Sequence, residues 1–199
     1  MLQLLHMTDE TVLPRPTGVH RPATNLVLVG YMGAGKTTVG QAVAERLGWR
    51  FGDLDQLIEA REGRTVPQIF AQDGEERFRR LECQTLEEVV AAANSQFLVL
   101  ALGGGAFVSE PVRELLAARD IPTVWLDAPA EELFRRCEQP EVVRPLRRSF
   151  QEFSELYEQR LSSYRQAYLH VVTNAKEISA VVDEIIEELG LVPGSRSSG

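Results

Sequence analysis

The residues best equipped for chemistry are Gly30-Tyr31-Met32-Gly33-Ala34-Gly35-Lys36-Thr37, which satisfy the spacing G-x-x-x-x-G-K-[ST]. Glycines at these positions let the backbone wrap an anion with its N–H groups, and a helix starting at the lysine adds the positive end of its dipole. The ammonium of Lys36 can reach the β- and γ-oxygens of a nucleoside triphosphate, and the Thr37 hydroxyl is a hard ligand suited to Mg²⁺. A glycine-rich turn that only caps a helix needs neither the lysine nor the hydroxyl. Kinases, ATPases, GTPases and sulfotransferase-like proteins all use such a loop, so the acceptor must be read from other residues.

Asp53-Leu54-Asp55 follows a short apolar run. Alternation along an extended segment would put both carboxylates on one side, one for a metal and the other for a substrate hydroxyl. Either could instead cap a helix beginning near Leu54. Gly103-Gly104-Gly105 ends another apolar run without an acid, which makes Asp53 the better metal candidate and leaves a bare backbone that a small ligand could approach. A plain flexible turn has the same composition. Asp127, before Ala-Pro-Ala-Glu-Glu, reads as a helix cap more readily than as a metal ligand.

Arginines supply the complementary charge. Arg160 interrupts a stripe formed by Phe150, Phe153, Tyr157 and Tyr164. A guanidinium turned inward requires an anion and matches a carboxylate bidentately, unless an internal glutamate or solvent takes it. Arg79 raises the same question, and Glu82, three residues on, could hold it in place. The stretch Val142-Val143-Arg144-Pro145-Leu146-Arg147-Arg148 has no periodicity and suits either a closing lid that carries a cation or a solvated basic loop.

Alternation of short apolar runs with helical patterns must position these groups. Strands are expected at NLVLVG, WRFGD, FLVLAL, TVWLD and around residues 170–172, with helices over residues 36–47, 54–93, 110–119, 130–137, 150–167 and 178–189. This order predicts an α/β protein of three layers with a central parallel sheet, in which ligands bind at the carboxyl ends of the strands. Residues 25–191 form the expected single domain, between a proline-bearing flexible extension at 1–24 and a flexible tail at 192–199. A net charge of −8 argues against nucleic acid as partner. No apolar run is long enough to span a bilayer, and Cys83 and Cys137 read as reduced thiols of a cytoplasmic protein.

Together GYMGAGKTT, FGDLD, GEERFRRLE, LALGGG, VWL, VRPL and YEQR, in this order, resemble the shikimate kinases. The resemblance implies a nucleoside-monophosphate-kinase-like P-loop fold with a five-stranded sheet, and ATP-dependent phosphorylation of the shikimate 3-hydroxyl in aromatic amino-acid biosynthesis. By position, Gly33, Ala34, Gly35, Lys36, Thr37 and Thr38 would hold ATP, with Arg136 against the adenine and Arg144 as the arginine of a lid over residues 138–149. Asp55 would bind the acceptor hydroxyls, Arg79 and Arg160 its carboxylate, and Gly103, Gly104 and Gly105 its ring. Thr37 would ligate Mg²⁺, and Asp53 would act through water. A monomer is expected. A gluconate-kinase-like enzyme and a kinase-like sensor of a cyclic acid are the rival readings.

Overall fold

The computed structural model describes residues 23–93, 97–138 and 149–193. Strands β1 (Asn25–Val29), β2 (Arg50–Asp53), β3 (Leu98–Ala101), β4 (Thr123–Asp127) and β5 (Leu169–Val172) form one parallel sheet in the order β2-β3-β1-β4-β5. Central β1 pairs with β3 from Asn25↔Leu98 to Leu28↔Ala101 and with β4 from Val27↔Thr123 to Val29↔Trp125. From β1 the chain crosses to the edge strand β2, fills the gap with β3, then returns to add β4 and β5 on the other side. The crevice where it changes sides, at the carboxyl ends of β1, β3 and β4, is where such sheets bind ligands.

Helices α1 (Lys36–Leu47), α2 (Leu54–Glu62), α3 (Val66–Ala92), α4 (Glu110–Ala118), α5 (Ala130–Cys137), α6 (Phe150–Tyr164) and α7 (Ile178–Leu189) cover the sheet. On one face α1 packs on α7 and against β2 and β3. On the other, Tyr164 of α6 stacks on Trp125 of β4 with ring centroids 6.0 Å apart. Coverage on both faces explains why β1 reads as an unbroken apolar run: Leu26 to Val29 are each at most 1% exposed. Truncating Leu28 to alanine would cost about 2–5 kcal/mol, a large share of a domain's stability.

Local chemistry fixes where the helices start. Thr65 and Gln68 form a capping box at α3, Gln68 Oε1 accepting the Thr65 N–H at 2.8 Å, and Ser149 and Glu152 repeat it at α6. Within α3, Gly74 adopts φ 79° and ψ 170°, which breaks the helix just before the segment that bears Arg79 and Glu82. Helix α6 stops at Tyr164 rather than 167; the other boundaries fall close to those expected. The expected extension and tail lie outside the described residues except for positions 23, 24, 192 and 193.

Candidate active site

Strand β1 runs straight into residues 30–35, and Gly35 is the N-cap of α1. The loop is wedged between two neighbours: a Cβ on Gly30 would strike the Leu126 carbonyl of β4, and one on Gly33 the Leu133 carbonyl of α5. Ala34 is buried, while Thr37 and Thr38 are exposed on the first turn of α1. Lys36 folds back over the loop, and its Nζ donates to the carbonyls of Gly30 (2.9 Å) and Tyr31 (3.0 Å).

Asp53, at the end of β2, does two jobs at once. Its Oδ1 accepts the N–H groups of Asp55 (3.1 Å) and Gln56 (3.4 Å) and so caps α2. Its Oδ2 accepts the Thr37 hydroxyl at 3.1 Å. A hydroxyl and a carboxylate side by side are a hard-oxygen pair that fits Mg²⁺, an ion that takes few protein ligands and completes its shell with phosphate and water. Among the described residues no cluster of three or more His, Cys, Asp or Glu suggests a different metal.

The expected extended geometry of Asp53 and Asp55 needs correction. Because Asp53 caps, α2 begins at Leu54, and Asp55 stands in the first helical turn rather than on a continued strand. Its Oδ1 is buried and has no hydrogen-bond partner among the described residues. Leaving a buried carboxyl oxygen unpaired is costly, and a site that receives a hydroxyl donor accounts for it. Burial pushes the Asp55 carboxyl above its ordinary pKa and the neighbouring Asp53 adds to this, against the pull of Lys36 and Arg79.

Two glycines of the triplet make room for side chains, and the third meets Arg160 through its carbonyl. A Cβ on Gly103 would lie 2.6 Å from Asp55 Oδ1, one on Gly105 2.6 Å from Arg79 Nη2, and one on Gly104 3.9 Å from Arg160 Nη1. The Gly104 carbonyl accepts hydrogen bonds from Arg160 Nη1 (3.0 Å) and from the Tyr164 hydroxyl. Absence of side chains at Gly103 and Gly105 therefore admits a carboxylate from α2 and an arginine from α3, and the Gly104 carbonyl brings an arginine from α6 to the same short stretch of backbone.

Both arginines are held in place. Arg79 Nη1 donates to Glu82 at 2.7 Å and Nη2 to Glu75 at 3.0 Å, with its guanidinium 5.5 Å from the Phe78 ring. Glu82 is 1% exposed, and burial pushes its carboxyl up to about 7 although Arg79 opposes the shift. Arg160 makes no ion pair among the described residues. It neither finds an internal glutamate nor runs out to solvent: it is half-buried, 5.4 Å from the Tyr31 ring, with Nη1 on the Gly104 carbonyl and the Tyr164 hydroxyl beside it.

Arg136, on α5, has its Nε 2.7 Å from Glu132 and its Nη1 3.2 Å from Thr173 Oγ1, just past β5. Arg144 and the body of the expected lid are outside the described residues. Asp127 caps nothing, since the N-cap of α5 is Pro129. Instead Oδ1 accepts the Tyr157 hydroxyl at 2.6 Å, Oδ2 lies 3.0 Å from His170 Nε2, and the backbone carbonyl accepts the Thr173 N–H at 2.7 Å. It ties α6 and β5 to the end of β4. Its role escaped the sequence because those partners are 30 and more residues away. Cys83 is a thiol outside any disulfide, and no helix among the described residues is long and apolar enough to cross a membrane.

Known proteins are similar to this chain in sequence and fold. The family model for shikimate kinase matches residues 32–190. Shikimate kinase of Persephonella marina is 39% identical over 163 residues, which cover 81% of this chain and 96% of the relative. That of Synechococcus elongatus is 42% identical over 168 residues, 83% of this chain and 85% of the relative. Among solved structures, shikimate kinase from Acinetobacter baumannii in complex with shikimate superposes with a TM-score of 0.76 at 37% identity, covering 84% of this chain and 93% of that one. With most of both chains aligned at this identity and the same parallel sheet beneath, the chain belongs to the shikimate kinase family.

Proposed function

We propose that this chain transfers the γ-phosphoryl group of ATP to the 3-hydroxyl of shikimate, with Asp55, Arg79, Arg160 and the phosphate loop in the roles the site suggests. The observation that carries the residue assignment is the partnerless buried Oδ1 of Asp55, set against the same glycine triplet as two arginines. The shikimate carboxylate docks on Arg79 and Arg160. That anchor fixes the ring, and Asp55 accepts a hydrogen bond from the hydroxyl to be phosphorylated. Held this way, the hydroxyl oxygen lines up with the γ-phosphorus as the bond from that phosphorus to the β-bridging oxygen breaks and ADP leaves.

In a loose transition state most of the rate comes from position and charge. Lys36, and Arg144 from the lid, stabilise the transferring group, and Arg136 flanks the nucleotide. Asp55 positions the hydroxyl and, with its raised pKa, is able to take its proton. Thr37 and Asp53 would hold Mg²⁺, which when bound neutralises phosphate charge. The protein acts as a monomer in the cytoplasm, where Cys83 and Cys137 stay reduced.

A coupled ADP-release assay with Mg-ATP and either shikimate, quinate, gluconate or no acceptor tests the reading. Turnover that depends on shikimate is expected. Turnover with gluconate alone would overturn the acceptor, and nucleotide binding without transfer to any acceptor would turn the protein into a sensor. Within the site, Arg160→Lys removes the bidentate fork and should raise the shikimate KM by about tenfold or more, leaving kcat less affected. An unchanged KM would remove Arg160 from the carboxylate site.

A further inference from the structure

The two arginines that face the glycine triplet are held by different kinds of partner. Arg79 sits between two carboxylates, with Nη1 on Glu82 and Nη2 on Glu75. Arg160 makes no ion pair among the described residues, and its Nη1 donates to the Gly104 carbonyl at 3.0 Å. The same carbonyl accepts the Tyr164 hydroxyl, one helical turn further along α6. A carbonyl oxygen has two lone pairs, so these two donors fill Gly104, and the hydroxyl is brought against the guanidinium.

Core packing alone does not call for that hydroxyl. Tyr164 is fully buried, and its ring already has a place, stacked on Trp125 of β4, which in turn stacks on His170 at 4.0 Å. The stack sets the plane of the ring and aims the hydroxyl at the triplet. Burying a hydroxyl costs free energy that a phenylalanine of the same shape would not meet. Burial pushes the Tyr164 hydroxyl well above its ordinary pKa, with Arg160 opposing the shift, so the group stays a neutral donor.

A neutral partner does what a carboxylate cannot. A glutamate holding Arg160 would neutralise it and compete with an incoming anion. A hydroxyl and a backbone carbonyl fix the direction of the guanidinium and leave its charge uncompensated. We propose that Tyr164 is a positioning residue: with the Gly104 carbonyl it fixes Arg160 through uncharged contacts, so that the full positive charge meets the acceptor carboxylate. This rests on the assignment of Arg160 to that carboxylate. A tyrosine that served only the core would, on losing its hydroxyl, change stability and leave acceptor binding as it was.

The test is steady-state kinetics of the full chain, varying shikimate at saturating Mg-ATP and then Mg-ATP at saturating shikimate. Tyr164→Phe, Arg160→Lys and the double variant are compared with the parent, with a melting curve for each. Tyr164→Phe keeps the stack on Trp125 and should raise the shikimate KM about tenfold, the scale of one hydrogen bond to a charged group, with kcat and the ATP KM much less affected. Added to Arg160→Lys, it should raise the shikimate KM by less than about twofold, because a residue that acts through another has nothing left to act on. An unchanged shikimate KM in Tyr164→Phe, or a rise just as large in the Arg160→Lys background, overturns the proposal. Should Tyr164→Phe fail to fold, the ligand-free parent decides. Nitrogen NMR of its guanidinium groups, with Arg160 assigned by the signal lost in Arg160→Lys, should show two separate Nη resonances, and one averaged resonance would overturn the clamp. A parent-like shikimate KM in Arg160→Lys would sink the carboxylate assignment itself, whereas a raised KM there beside a parent-like KM in Tyr164→Phe sinks only the role of Tyr164.

Discussion

Oδ1 of Asp55 lies 2.6 Å from the point that a Cβ on Gly103 would occupy, and Nη2 of Arg79 stands equally close to the corresponding point on Gly105. In both cases the intruded atom is the end of a side chain, which can swing aside without moving the backbone. Gly103→Ala and Gly105→Ala should therefore fold nearly as well as the parent but fail differently. Gly103→Ala displaces the hydroxyl-binding carboxylate and should lower kcat by about 10²-fold, the scale of an ångström-sized misplacement. Gly105→Ala displaces a carboxylate anchor and should act mainly on the shikimate KM. Steady-state kinetics and a melting curve for each separate the two, and a matched loss of kcat in both would contradict the division of labour.

Asp55→Asn should be inactive or nearly so, with kcat down about 10²–10⁴-fold if the carboxylate takes a proton as well as a hydrogen bond. It should also be more stable. The folded pKa of Asp55 is raised above its ordinary value, so the parent gives up stability as pH rises from that ordinary value through the folded one. Melting temperatures of variant and parent should converge near pH 4 and diverge in favour of the variant near pH 8.

Glu82 follows the same sign over a window that can be named. Its pKa lies at about 7 in the fold against 4.5 ordinarily, so its contribution is complete below 4.5 and lost as pH rises through 7. Glu82→Gln should flatten the pH dependence of the melting temperature in that interval. With the charged tether of Arg79 gone, the shikimate KM at pH 8 should rise about tenfold, the scale of one charge-assisted hydrogen bond. An unaltered pH profile would show that Glu82 does not titrate there.

Asp53 can be dissected because its two oxygens serve different partners. Asparagine caps helices about as well as aspartate, so Asp53→Asn should keep its melting temperature while needing more Mg²⁺ for half-maximal rate. Asp53→Ala should show the same Mg²⁺ requirement and lose about 1 kcal/mol through the missing cap. Equal Mg²⁺ titrations for parent and Asp53→Asn would take Asp53 away from the metal.

Much of the fold was legible because its signals are local. Buried parallel strands read as apolar runs, and Gly-x-x-x-x-Gly-Lys-Thr announces both the loop and the helix after it. The pairing of Arg79 with Glu82 was legible for the same reason, being one helical turn in length. What escaped depends on distance along the chain. The partners of Asp127 come from α6 and β5, the ring beneath Arg160 comes from residue 31, and Gly103 and Gly105 meet side chains from two different helices. Asp55 was placed on an extended segment because the pattern of alternation carries no mark of where a cap ends a strand.

Lys36 resting on the carbonyls of Gly30 and Tyr31 bears on turnover as much as on transfer. A buried ammonium with no acceptor would cling to whatever anion it met, and ADP would leave slowly. If Lys36 binds the phosphates as proposed, their departure would return the ammonium to two backbone oxygens, which would lower the cost of product release. The loop is then ready for the next ATP in a geometry it already holds.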